Sequence, residues 1–258
     1  MKKAIVFVLF FAAIQILVPQ LIGLALRLLP GYDGSVSMQD ATMMIISMTA
    51  SSVAVIALFL YMRWVEVSRN YMLTRPWGVL IWCCLAAVGA VIPSLFFQEQ
   101  MPELPNVVEE EFDVILRNRW GYFAIGLLAP VCEELVFRGA ILRALLQWRP
   151  EKHWVAIAVS ALLFALVHAN PAQMPHAFLI GLLLGWFYYR TGSVVPGVAF
   201  HWVNNSIAYV GYNMYPDSSL KLVDLFGSQR TVIAAVLFSL FILLPSLYQL
   251  HLRMRKAA

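Results

Sequence analysis

The stretch Cys132-Glu133-Glu134-Leu135-Val136-Phe137-Arg138-Gly139 sets two adjacent carboxylates and a guanidinium inside an apolar run of about 120–146. A charge at the centre of a bilayer costs roughly 2.5–3.5 kcal/mol on insertion scales, so three together require a compensating arrangement. On a helix Glu134 and Arg138 are four apart, share a face and can pair. Glu133 is turned about 100° from Glu134 and lies five residues from Arg138, so it need not use the same partner. The spacing predicts one carboxylate held by the arginine and one available to act on a water as a general base.

Few other polar residues interrupt the apolar runs. Phe164 and His168 are four apart in one run; His201 and Asn205 are four apart in another, with Asn204 beside them. Four-apart residues line one helical face, so each pair can point into the interior that holds Glu133 and Glu134. A single histidine in a helix bundle is more often a satisfied packing residue. Two such faces beside a Glu-Glu-x-x-x-Arg helix shift the balance to chemistry. The remaining candidates read as bland: His153 and His251 as solvated flanks, His176 near the outer interface as a surface residue rather than one that reaches the site mouth, Tyr209 and Tyr212 as packing or interfacial residues. Cys83, Cys84 and Cys132 read as small apolar fillers, with no disulfide or zinc-finger spacing.

These residues need elements to carry them, and the composition says which kind. Of 258 residues 61% are hydrophobic and 12% charged, with a mean hydropathy of +0.76. A soluble domain is nearer a quarter charged, and one soluble core of this length cannot bury such a surplus of apolar residues. The reading is a single integral membrane domain over 1–258, an all-α polytopic transmembrane bundle of about eight helices. The runs are about 4–26, 41–62, 77–97, 120–146, 154–168, 175–189, 194–214 and 231–250, each near the length a bilayer requires. Pro130, just before the acidic pair, predicts a bend. Asn170-Pro171 ends the fifth run. Gly181 and Gly185 form a GxxxG, which favours close helix approach. The acidic stretch before the fourth run predicts a short interfacial helix with a solvated face.

Charge sets the expected orientation. With the N-terminus inside, the inner segments hold Lys2, Lys3, Arg63, Arg69, Arg75, Arg149, Lys152, Arg190, Arg253, Arg255 and Lys256. The outer ones hold Arg27, Arg117, Arg119, Lys221 and Arg230. Eleven against five predicts a multi-pass protein of the cell membrane with both termini in the cytoplasm. The net charge of +4 is spent on this asymmetry and gives no reason to expect a nucleic-acid partner.

The three motifs together resemble the CAAX protease and bacteriocin-processing (CPBP, or Abi) family of intramembrane endopeptidases, which includes the type II CAAX prenyl endopeptidase. Glu133 to Arg138 matches its Glu-Glu-x-x-x-Arg motif, Phe164 to His168 its Phe-x-x-x-His, and His201 to Asn205 its His-x-x-x-Asn, in that order on three runs within 120–214. The resemblance implies peptide-bond hydrolysis in or at the edge of the membrane, on a peptide or membrane-protein substrate. It implies Glu133 as the residue that activates water, helped by His168, with His201 and Asn205 donating to the oxyanion and Glu134 and Arg138 organising the site. Asn204 fits the third motif less well. Glu133, His168 and His201 also make a zinc-hydrolase donor set with a fourth position for water. The expected mechanism needs no cofactor, because His-x-x-x-Asn makes an oxyanion pair; a zinc-dependent intramembrane metalloprotease is the alternative. Two other classes stay open: a proton-coupled transporter, which would spread titratable groups across depth rather than cluster them, and a non-catalytic scaffold or immunity protein.

Overall fold

The computed structural model describes residues 1–30, 37–66, 68–215 and 220–256. Every regular element in it is helical: α1 (Lys2–Arg27), α2 (Ala41–Tyr61), a short α3 (Arg69–Leu73), α4 (Trp77–Glu99) and α5 (Glu109–Leu116). A continuous helical column follows. It is built of a π segment (Tyr122–Leu128), α6 (Ala129–Glu134), a second π segment (Leu135–Leu142) and α7 (Arg143–Trp148). After a 3-10 turn (Pro150–Lys152) come α8 (His153–Leu166), α9 (Met174–Thr191), α10 (Val195–Met214), a short α11 (Leu222–Phe226) and α12 (Gln229–Arg253). The all-α bundle is as expected from composition.

Among the described residues four helices, α1, α2, α4 and α12, are by length and composition alone long and apolar enough to cross a membrane. Among the described residues the column, α8, α9 and α10 bring the long helical rows to the eight expected from the sequence. α8 has 14 residues, about 21 Å at 1.5 Å per residue, against a hydrocarbon core of about 30 Å. α10 carries His201, Asn204 and Asn205, and the central column is broken into short segments of different pitch. These shorter or more polar rows build the interior of the bundle.

Successive passes run up and down. At one end Arg190 donates to the carbonyls of His251 (2.8 Å) and Met254 (3.2 Å), and Arg143 pairs with Glu66. Lys2, Lys3, Arg63 and Arg143 gather around one hollow there. At the opposite end Gln98 reaches the Ala172 carbonyl at 3.5 Å, Glu99 accepts from the Leu222 N–H at 2.5 Å, and Asn213 donates to Leu116 O at 3.1 Å. The acidic α5 lies at this second end. Its Glu109, Glu110 and Glu111 are exposed, as a solvated face would be.

Packing fixes the column in the centre. Phe7, Phe59 and Trp64 cluster with centroids 5.0–5.9 Å apart, joining α1 to α2. Phe137 then meets Phe11 at 5.4 Å and Phe164 at 5.2 Å, joining α1, the column and α8. α9 lies close against α8 because Gly181 and Gly185 have no side chain. A Cβ on Gly181 would stand 3.0 Å from Ala161 Cα, and one on Gly185 2.8 Å from an Ile157 methyl. The GxxxG expectation thus has its partner in α8. His153 departs from its expectation: its ring stacks on Tyr189 at 4.3 Å and 3° and is half-buried rather than free in solvent.

Candidate active site

The column delivers the acidic pair at the boundary between α6 and the second π segment. Glu134 and Arg138 are fully buried, with Arg138 Nη1 2.8 Å from Glu134 Oε1. Nη1 lies off the line of a hydrogen bond, so this contact is ionic. The guanidinium is held from two further sides: Nη2 donates to Gly181 O at 3.3 Å, and the carbon stands 4.4 Å over the Phe164 ring. A buried arginine over an aromatic face gains cation–π energy that water would otherwise screen. The four-residue spacing survives the π geometry because the wide turn begins only at Leu135.

Glu134 in turn orients a histidine. Its Oε1 lies 3.3 Å from His201 Nδ1, and since a carboxylate accepts, Nδ1 carries the proton. The other ring nitrogen, Nε2, faces Glu133 Oε2 at 3.7 Å, a gap beyond a direct hydrogen bond that suits a shared water. α10 comes this near because residue 197 is glycine. A Cβ there would lie 2.4 Å from Glu134 Oε2. Glu134 cannot swing away from Arg138 and His201, so Gly197→Ala overpacks a pinned charge. The expected loss is about 1–3 kcal/mol, read as a lower unfolding midpoint in detergent; an unchanged midpoint would mean that α10 can shift at no cost.

His168 sits where α8 ends. Its Nδ1 is 2.7 Å from Phe164 O, so that nitrogen donates and Nε2 keeps its lone pair. The Phe164 ring stands edge-on to both His168 (4.9 Å) and His201 (5.8 Å). The first residue of the second motif is thus a spacer between the two imidazoles and a seat for Arg138.

Asn205 is placed by a defect in the column. The Ala129 N–H bonds Ala124 O, five residues back. The next such bond, from residue 130 to Ile125 O, cannot form because proline has no N–H. Asn205 Nδ2 donates to that Ile125 carbonyl at 3.1 Å, while Asn204 Nδ2 donates to Asn205 Oδ1 at 3.4 Å. The two contacts fix which way the Asn205 amide faces, since a flip would set oxygen against oxygen. One N–H of Asn205 remains uncommitted by them. The bend expected at Pro130 takes the form of this change of pitch.

Glu133, His168, His201 and Asn205 line one cavity of about 390 Å³, with Asn204 also in its wall. Glu134 and Arg138 lie buried behind it. The cavity extends toward the acidic end, past Gln98, Phe112 and Tyr212. His176 also lines it, which corrects its reading as a surface residue. The Asn170-Pro171 turn reverses the chain, so the first turn of α9 returns to the end where α8 stopped. Asn170 itself is fully buried, accepting from Val107 N at 3.1 Å and donating to Asn106 at 2.8 Å. It ties the loop before α5 to the site. Tyr209 and Tyr212 line the mouth and fasten it, Tyr209 donating to Asn118 O at 3.1 Å and Tyr212 to Asp113. Tyr122 links Trp202 and Ser206, each at 3.0 Å, a latch between the column and α10 that no sequence motif marks.

The zinc alternative can be set against this geometry. Among the described residues no three His, Cys, Asp or Glu side chains converge as a metal-holding group. His201 Nδ1 is committed to Glu134, which leaves Nε2 as its only free donor.

Comparison with known proteins follows the same residues. Positions 116–207, which include all three motifs, match the family model for type II CAAX prenyl endopeptidase Rce1-like proteins. The chain is 27% identical over 105 residues to the UPF0177 protein YxdF of Lactococcus lactis, covering 40% of this chain and 52% of that one. It is 24% identical over 169 residues to the membrane-embedded CAAX protease MroQ of Staphylococcus aureus, covering 62% of this chain and 66% of the relative. The chain thus spans between about half and two thirds of the length of these curated relatives. No solved structure matches it. The segment that carries Glu133, His168 and His201 is thus similar to the Rce1-like type II CAAX prenyl endopeptidases.

Proposed function

We propose that this chain is an intramembrane endopeptidase that hydrolyses a peptide bond with a water activated by Glu133. The observation that carries the reading is the convergence of Glu133, His168, His201 and Asn205, from three helical rows, on one cavity. Glu133 is the carboxylate not engaged by Arg138, and the gap between it and His201 Nε2 is the place for the water. The water oxygen attacks the scissile carbonyl as its proton passes to Glu133, forming the C–O bond. The charge on the carbonyl oxygen is met by donors from Asn205 and His201. His201 must carry a second proton to donate from Nε2, because its Nδ1 proton faces Glu134. The C–N bond then breaks and the proton held by Glu133 goes to the leaving amine, with the free Nε2 of His168 steering it. Fixed donors of this kind are worth most where water is excluded.

The metal-free form is the one proposed, and no step needs a cofactor. The orientation follows the charge asymmetry: both termini cytoplasmic in a cell membrane, so that the cavity extends toward the outer face. The substrate class is a peptide or the exposed segment of a membrane protein, in keeping with the names of the family and of the staphylococcal relative.

The test is cleavage of a peptide library by the purified protein in detergent, with and without a strong chelator. Cleavage that survives chelation is expected. Loss on chelation with recovery on added zinc would move the mechanism to the metal form. No cleavage, from a protein shown to be folded, would remove the protease reading and favour a scaffold.

A further inference from the structure

At the basic end, far from the catalytic cavity, a hollow of about 400 Å³ lies between the start of α1, the end of α2 and the Ala140–Gln147 stretch of the column. Its rim carries Lys2, Lys3 and Arg63, and its inner wall is Val6, Phe7, Ala140 and Ala144 beside the Trp64 ring. Among the described residues none of the three rim cations has a carboxylate partner, whereas the fourth cation, Arg143, is already paired with Glu66. Three uncompensated positive charges therefore face one concavity.

Arg63 adds an independent observation. Its φ is +55°, a left-handed conformation that usually falls to glycine or asparagine at a helix C-terminus. Its N–H closes α2 onto Leu60 O at 3.0 Å. An arginine kept where glycine would be easier to hold brings a guanidinium to this rim. The surroundings say what kind of anion fits. Leu9 on α1 and Leu60 on α2, each three residues along the chain from a residue of the hollow (Val6 and Arg63), are exposed apolar residues, a surface suited to acyl chains rather than to a free soluble ion.

We propose that this hollow binds the phosphate-bearing headgroup of an anionic lipid, with the acyl chains lying on the outer faces of α1 and α2. Basic hollows between transmembrane helices, lined by aromatic rings at the interface, have the charge and depth such headgroups need. The site touches the column that carries Glu133 and Glu134, so a bound lipid would brace that helix. Binding itself stands whether or not the chain cleaves peptides.

The test is native mass spectrometry of the full chain, titrated in detergent with phosphatidylglycerol or with phosphatidylcholine. Phosphatidylglycerol is expected to bind at least about tenfold more tightly. The triple variant Lys2→Gln, Lys3→Gln, Arg63→Gln should lose at least about tenfold in affinity for phosphatidylglycerol, since each cation near a membrane surface is worth about fivefold. Affinity for phosphatidylcholine should not move. The conservative set Lys2→Arg, Lys3→Arg, Arg63→Lys should keep tight binding, which separates charge from folding. The pair Arg255→Gln, Lys256→Gln, at the same end but outside the hollow, should change affinity less than about twofold. An equal loss in that pair would show diffuse attraction and overturn the site, as would full retention in the triple variant. Displacement of the lipid by millimolar inorganic phosphate would overturn the lipid assignment in favour of a soluble anion.

Discussion

Glu133→Gln is expected to lower kcat/KM for a cleaved peptide by about 10²–10⁴-fold, the range a positioned general base contributes, while the unfolding midpoint stays within error. Both halves of that expectation come from the geometry. Glutamine keeps the shape and can still reach toward His201, but it cannot take a proton from water. The fold should not notice, because Glu133 is about a fifth exposed and stands 3.7 Å from the Nε2 of His201, beyond a direct hydrogen bond. The ionic contact with Arg138 is made by Glu134. The measurement is a kinetic comparison of wild type and variant beside thermal unfolding of each. Activity retained to within about tenfold would take the base role from Glu133. Equal activity in both proteins would point to a co-purifying protease.

Much of this arrangement could be read from the sequence, because its spacing is local. The four-residue offsets of Glu134–Arg138, Phe164–His168 and His201–Asn205 each set two groups on one helical face, and all three pairs close on one region. The small-residue pair Gly181 and Gly185 needed only a neighbouring helix, and α8 provides it. The π segments were not legible. In a row apolar on every side, the pattern of side chains has no phase to reveal a change of pitch. The place of His176 in the cavity depends on chain reversal at Asn170-Pro171, which brings two helix ends together. A turn signal was visible there, but the meeting of the ends is a tertiary fact. Asn170 and the Tyr122–Trp202 latch join residues 64 and 80 positions apart, and no local pattern reports such pairs. Hydropathy marks all eight runs but does not separate helices facing lipid from those facing one another.

Arg138→Met should destabilise the protein by about 3–5 kcal/mol, the cost of leaving a buried carboxylate without its counter-charge. Glu134 has no exposed surface, and a methionine of similar length would fill the space over Phe164 without neutralising it. His201 Nδ1 alone would then face the carboxylate. Adding Glu134→Gln removes the stranded charge, so the double variant should recover most of the lost stability. Denaturant unfolding in mixed micelles measures both, and a cost below about 1 kcal/mol for the single variant would mean that water reaches Glu134. Activity should not recover with stability. The ion pair is a costly way to fill a core, and what it secures here is a chain of orientation: Arg138 holds Glu134, Glu134 holds the Nδ1 proton of His201, and His201 presents Nε2 to the cavity. A glutamine at 134 can flip its amide and offer that nitrogen either a donor or an acceptor. A stable double variant with low kcat and near-normal KM is the expected result. Restored turnover would reduce the pair to a packing element.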